Sequence, residues 1–238
     1  MDARVREEVN KVWDEVLNYE YFLLEDIQTS VKSEPCILVD IGCGSKGILG
    51  RKGNRLAGLQ AQSLGIDVDL EALARNPNIK RRACASCYSL PLSDNSVDII
   101  VSRWVFEHLE APERALGEFA RVLKKGGCVY LKTPNLWNYS MILSWATPVG
   151  FHNRFARLSH KADNTPTFYR ANTKRRLREL AASAGFVVRH LETYSYSYTY
   201  YSFNKELFLT MRGLSRLAGK IIPNLRQTLF CTLQKPQL

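Results

Sequence analysis

The segment ILVDIGCGSKG, residues Ile37 to Gly47, constrains this chain more than any other. Four apolar positions surround one acid and run into glycines at Gly42, Gly44 and Gly47. Such a run reads as a buried strand ending in a tight turn, where glycine lets the backbone bend and lets a ligand approach it. Further strand patterns follow at Leu64–Asp67, near Lys80–Cys84, at Val97–Ser102 and at Cys128–Thr133. Helical patterns lie between them at Leu70–Arg75 and at Ala111–Leu123, the second expected to stop in Lys-Lys-Gly-Gly. Strands alternating with helices predict an α/β doubly wound fold, a mostly parallel seven-stranded sheet with helices on both faces.

The flanks are organised differently. Val5, Val9, Val12, Trp13, Val16 and Leu17 recur at helical spacing within a helix expected over residues 3–28, so residues 1–34 read as an N-terminal helical segment. Residues 35–238 read as one domain with an insertion at about 134–170, because after Pro134 the strand–helix rhythm breaks for about 35 residues, too long for an ordinary connection. A helix at Thr173–Ala184 capped by Gly185, a strand at Phe186–Leu191, a helix at Lys205–Lys220 and a strand near Gln227–Leu233 complete the pattern.

Apolar content of 45% and charged content of 24% are those of a globular chain. The sequence shows no apolar run of membrane-spanning length and no signal-peptide pattern at its start, so the expected location is the cytoplasm. Cys84 and Cys87 form a CxxC with no second cysteine pair and no spaced histidine pair, so no metal is expected. Charge is unevenly spread. Residues 1–30 carry 3 basic and 8 acidic side chains, residues 31–150 carry 15 and 11, and residues 151–238 carry 15 and 4. The last third therefore presents cations, either as an ordinary solvated face or as a peripheral contact with an anionic membrane.

Gly42, Gly44 and Gly47 satisfy GxGxxG, and Asp67 ends the next strand at a distance suited to a ribose diol. Both features serve NAD or any other adenosine-bearing ligand. Asp40 separates the two, because a carboxylate at the mouth of the first strand repels a pyrophosphate and attracts an ammonium or sulfonium group.

Four ordered blocks carry a resemblance: VDIGCG, then GIDVD, then LPLSDNSVDIIVSRWVFEHL, then ALGEFARVLKKGGCVYLKTPN. They span about residues 36–135 and resemble the class I S-adenosylmethionine-dependent methyltransferases, the broad group acting on small molecules, quinones, lipids and glycans. The resemblance implies a Rossmann-like fold and S-adenosyl-L-methionine as cofactor. It implies that Asp40, Gly42, Cys43 and Gly44 line the methionine end, that Asp67 binds the ribose hydroxyls and that Val68 lies beside the adenine. It places Ser86 and Cys87 at the adenine edge, and Arg103 with Trp104 and the FEHL segment at the pocket floor. Lys46 stands where such enzymes have a glycine, and Ser86 where many have an aspartate.

Methyl transfer from a sulfonium mainly needs in-line placement of the acceptor, which can contribute about 7–11 kcal/mol. A hydroxyl acceptor also needs a proton removed, and His108, just beyond the fourth strand, is the candidate catalytic base. Alternatively, Glu107 and His108 shape the pocket without moving a proton. His152 and His160 lie in the insertion, whose WNYSMILSWATPVGF stretch followed by Arg154, Arg157 and Lys161 fits a lid over an acceptor or a membrane-surface element. YSYSYTYY would set Tyr194, Tyr196, Tyr198 and Tyr200 on one face of a strand, as half-buried sheet or as a stacking wall for a sugar or aromatic acceptor. The expected function is methyl transfer to a small-molecule, glycan or lipid-linked acceptor, with oxygen the expected acceptor atom. The alternatives are an NAD-linked oxidoreductase and a non-catalytic scaffold binding anionic surfaces or RNA. Nucleic acid is the less favoured partner, because the aromatic residues do not alternate with cations as in an RNA-binding module.

Overall fold

The structure is a computed structural model and describes residues 27, 36–45, 47, 62–77, 79–138, 165–194 and 205–237. All but Ile27 of the helix expected over residues 3–28, most of the insertion, Lys46, His152, His160, Tyr196, Tyr198 and Tyr200 lie outside them. The chain divides into two compact units: Met1–Tyr21 with Pro134–Pro166 and Thr193–Leu229, and Phe22–Thr133 with Thr167–Glu192 and Phe230–Leu238.

Seven strands form one sheet: β1 (Ile37–Ile41), β2 (Gln62–Asp67), β3 (Arg81–Cys84), β4 (Val97–Arg103), β5 (Leu123–Pro134), β6 (Val187–Tyr194) and β7 (Thr228–Gln234). Their order is β3-β2-β1-β4-β5-β7-β6. Helices α1 (Leu70–Ala74), α2 (Pro112–Val122), α3 (Lys174–Ser183) and α4 (Lys205–Ile221) lie between them in sequence. β1 is central, paired in parallel with β2 and with β4, and Leu38, Val39, Asp40 and Ile41 are all buried. Burial on both faces is why this strand reads as a continuous apolar run. The order reverses between β1 and β4, and in open α/β sheets such a switch point is where a crevice opens beyond the carboxyl ends of the strands.

α2 follows from its spacing: Pro112, Ala115, Leu116, Phe119 and Val122 recur along one face and are buried. Pro112 sits in the first turn, where its missing N–H costs nothing. The expected Lys-Lys-Gly-Gly stop is corrected here, because the chain passes from α2 straight into β5 at Leu123. Val97 pairs with Leu123 but Ile99 pairs with Cys128, so residues 124–127 form an irregularity inside the strand. Lys235 exchanges backbone bonds with both Gly126 and Gly127, each 2.9 Å, two residues facing one. That is a bulge of an antiparallel pair, so β7 adds an antiparallel strand to the parallel core. Gly126 takes φ +79 there.

Candidate functional site

The glycine turn leaves β1 at Gly42. Gly42 takes φ +69, and a Cβ there would lie 2.1 Å from Val105 Cγ2, so glycine is needed both for conformation and for space. Gly44 takes φ +48, and the room its Cβ would occupy is open except for Asp67 Oδ2 at 4.0 Å. The Gly44 N–H donates to that oxygen at 2.7 Å, and the Asp69 N–H donates to Asp67 Oδ1 at 2.9 Å. Two backbone amides thus aim the Asp67 carboxylate from the end of β2 toward the turn. A carboxylate accepts about four bonds, so these two leave capacity for further donors. Val68 follows and is 71% exposed beside that oriented carboxylate.

Asn76 was not singled out from the sequence, yet it holds the turn. It is buried, and its Nδ2 donates to the Gly44 carbonyl at 2.8 Å. Gly65 is the other unforeseen contributor: a Cβ there would come within 2.8 Å of Cys43 Sγ and 2.9 Å of Ile79 Cδ1. Cys43 therefore points inward, packed with Leu73 and Ile79, so only its backbone faces the turn. Burial, followed by the Asp40 and Asp67 charges, pushes its thiol up to about 12.

Asp40 is 1% exposed, and a Cβ at Gly47 would lie 2.9 Å from its Oδ2. The carboxylate thus sits beneath the turn at Gly47, a placement hostile to a pyrophosphate on those glycines. The Gly47 N–H closes the turn on the Cys43 carbonyl at 2.6 Å. Beyond β3, the Ala85 N–H donates to the Asp67 carbonyl at 3.0 Å, bringing the Ser86 segment beside the end of β2. Ser86 is half-buried and its Oγ accepts from the Tyr88 N–H at 3.2 Å. Cys87 is buried, and that burial raises its thiol to about 11. Cys84 is exposed, so the two CxxC sulfurs occupy different environments.

At the end of β4, Arg103 is half-buried and pairs in register with Lys132 of β5. Trp104 takes φ +59, and its N–H donates to the Lys132 carbonyl at 2.8 Å. The Lys132 ammonium is buried between the Trp104 and Phe230 rings, 5.2 and 5.1 Å from their centroids. A single helical turn, Phe106–His108, follows and leaves His108 half-buried. Glu107 is buried, its carboxylate accepting from Thr133 Oγ1 at 3.0 Å, while that hydroxyl accepts from Asn172 Nδ2 at 2.7 Å. The Glu107 carbonyl accepts from the amides of Phe168 and Tyr169 at 2.7 and 3.2 Å. Glu107 thus ties three segments together behind His108.

The LPLSDNSVD block is explained by clamping. Glu118 of α2 accepts from the Leu90 N–H at 2.7 Å, and Arg121 donates to the Leu90 and Leu92 carbonyls at 3.2 and 2.9 Å and to Asp94 at 2.6 Å. Asp98 accepts from the first amide of β1, at Ile37, and from Lys124. Among the described residues no cluster of three or more His, Cys, Asp or Glu could hold a metal, and no helix is long and apolar enough to cross a membrane.

Residues 39–131 match the family model for a methyltransferase domain. A probable S-adenosylmethionine-dependent methyltransferase of Mycobacterium tuberculosis is 34% identical over 122 residues, 49% of this chain and 42% of that protein. Over that span the chain is similar to S-adenosylmethionine-dependent methyltransferases. A ubiquinone biosynthesis O-methyltransferase of Burkholderia thailandensis is 30% identical over 143 residues, 52% of this chain and 60% of the relative. This chain spans less than half the length of the mycobacterial methyltransferase it resembles. Among solved structures, a geranyl diphosphate C-methyltransferase from Streptomyces coelicolor, in complex with S-adenosyl-L-homocysteine, superposes with a TM-score of 0.60 at 13% identity, covering 98% of this chain and 87% of that one. The cyclase SpnF superposes with a TM-score of 0.58 at 20% identity, covering 90% and 80%. Likeness at such identities shows the methyltransferase fold and leaves the reaction to the site.

Proposed function

We propose that this chain binds S-adenosyl-L-methionine and transfers its methyl group to oxygen of a small-molecule, glycan or lipid-linked acceptor. The observation that carries the reading is the Gly44–Asp67 pair at the switch point: an open place over a glycine, facing a carboxylate aimed by two amides. That arrangement fits the cofactor, since a ribose diol supplies the two further donors that the Asp67 carboxylate can accept. Val68 would cover the adenine and so lose its exposure. Asp40 beneath Gly47 would set a negative potential at the methionine end, with the Gly42, Cys43 and Gly44 backbone lining it. Ser86 would reach the adenine edge, Cys87 would contribute backbone alone, and Arg103 would close the floor.

When bound, the cofactor supplies a methyl group on sulfur, an activated leaving group. The chain's own work is then positioning and, for a hydroxyl, proton removal. His108 is the proposed base, held by the Glu107 anchorage to Thr133 and to the 168–169 segment. Oxygen as acceptor atom is favoured by the ubiquinone biosynthesis O-methyltransferase relatives. Contact with an anionic membrane surface through the basic last third belongs to the same reading, because it would bring a lipid-linked acceptor to the site.

The test is calorimetric titration of the chain and of Asp67→Ala with S-adenosyl-L-homocysteine. Binding by the chain that is lost in the variant supports the reading. Absence of binding by the unmodified chain overturns it.

A further inference from the structure

The helix α4 differs on its two sides. Met211 and Gly219 are buried, and Arg226 Nε reaches back to the Gly219 carbonyl at 3.1 Å. The turn beyond the helix is pinned as well, since Asn135 Nδ2 donates to the Asn224 and Arg226 carbonyls at 2.7 and 2.8 Å and Thr193 Oγ1 to the Pro223 carbonyl at 2.8 Å. The inward side of α4 is thereby fixed. On the outward side Leu214, Leu217 and Ile221 are 52%, 57% and 69% exposed, and Ile222 is 49% exposed just past the end. The first three stand at i, i+3 and i+7, one narrow stripe of an α-helix. Arg216 and Lys220, both exposed and four residues apart, lie along one flank of that stripe. Glu206, in the first turn, is the helix's one acid.

A helix face open to water ordinarily carries polar residues along such a stripe. An apolar stripe edged by cations has two natural covers. A second copy packed symmetrically would set Arg216 and Lys220 against their own equivalents, a like-charge contact. An anionic lipid surface instead accepts the apolar side chains among its acyl chains and the cations among its phosphates. Arg212 adds to this, because partial burial and the Arg216 charge lower its pKa, a repulsion that a nearby anion relieves.

We propose that α4 is a membrane-docking helix, lying in the headgroup layer of an anionic bilayer with Leu214, Leu217, Ile221 and Ile222 inserted and with Arg216 and Lys220 on lipid phosphates. This rests on the membrane contact included in the proposed function and assigns it to one element.

The test is co-sedimentation of the whole chain with vesicles of phosphatidylcholine alone and of phosphatidylcholine with phosphatidylglycerol. Leu217→Glu/Ile221→Glu and Arg216→Gln/Lys220→Gln are compared alongside, with far-ultraviolet circular dichroism as the check on folding. The expected result is binding to the anionic vesicles, weakened by salt and roughly 30-fold weaker after removal of the two charges. Binding is lost in the Leu217/Ile221 variant, while both variants keep S-adenosyl-L-homocysteine binding. Anionic-vesicle binding that neither variant alters would overturn the assignment to α4 and leave the broader membrane contact standing. Equal binding to neutral vesicles, or no vesicle binding at all, overturns the docking proposal. So does salt-insensitive dimerisation that the Leu217/Ile221 variant abolishes. The cofactor titration decides the methyltransferase activity separately from all of these.

Discussion

Asp67 and Gly42 show how single atoms set this site. The Asp67 carboxylate is held by the amides of Gly44 and Asp69 before any ligand arrives, so its acceptor capacity is aimed without further ordering. Asp67→Asn keeps the shape and removes the charge. S-adenosyl-L-homocysteine is expected to bind on the order of 10–100-fold more weakly to it, as for the loss of charge-assisted bonds, read by calorimetry. Unchanged affinity would sink the ribose assignment. Gly42 bears two separate constraints, a left-handed backbone and a 2.1 Å collision with Val105. Gly42→Ala should therefore cost at least about 1–3 kcal/mol in urea unfolding. Adding Val105→Ala should restore only the part due to collision, since φ +69 remains.

The clamp between α2 and the loop at residues 90–94 belongs to the scale of elements. Glu118 is mostly buried and serves Arg121 and the Leu90 amide together. The Arg121 hydrogen bond is the main cause of its lowered pKa, the Leu90 amide helps, and burial opposes both. A carboxyl with a folded pKa below its unfolded value gives stability that is present above the unfolded value, about 4.3, and lost as pH falls through the folded one. Glu118→Gln should cost about 1–3 kcal/mol at neutral pH, and the variant's stability should fall less steeply than the parent's below pH about 4.3. Equal slopes for variant and parent would remove Glu118 from this role. α3 offers a simpler case: Thr173 Oγ1 accepts from the Arg176 N–H at 3.1 Å as an N-cap. Thr173→Ala should cost about 1 kcal/mol in the same assay.

At the scale of the whole molecule, the cysteines report how well the core excludes water. Cys36, Cys43, Cys87, Cys128 and Cys231 are buried and Cys84 is exposed, so a thiol reagent at pH 8 should modify one sulfur quickly in the folded protein. Burial is the main cause that raises Cys36 and Cys87 to about 11 and Cys43 and Cys231 to about 12. A thiol whose folded pKa is raised gives stability that is complete below its unfolded pKa, roughly 8.5, and lost as pH climbs through the folded value. The unfolding midpoint should therefore fall progressively from about pH 9 to pH 12, and replacing Cys43 with serine should make that decline shallower. A flat profile over this window would mean that these sulfurs are wet.

The α/β pattern, the strands at Ile37–Ile41 and Val97–Ser102, the helix at Thr173–Ala184 and the glycine turn were legible in the sequence to within a residue or so of the observed bounds. Periodicity and turn chemistry are local, and a buried central strand declares itself by composition alone. The bulge at Gly126 and Gly127 was not legible. Lys-Lys-Gly-Gly ends helices as readily as it distorts strands, and only Lys235, more than a hundred residues onward, decides between them. Nor could spacing reveal that Cys43 and Cys87 turn inward, that Gly65 clears room for a sulfur, or that Asn76 holds the Gly44 carbonyl. Side-chain direction depends on what packs against each face, and those neighbours come from distant segments. The sequence by itself determined that the first strand ends in a glycine turn; the tertiary structure alone decided which side chains, Asp67 and Asn76 among them, hold that turn, because only the assembled sheet sets their direction and their burial.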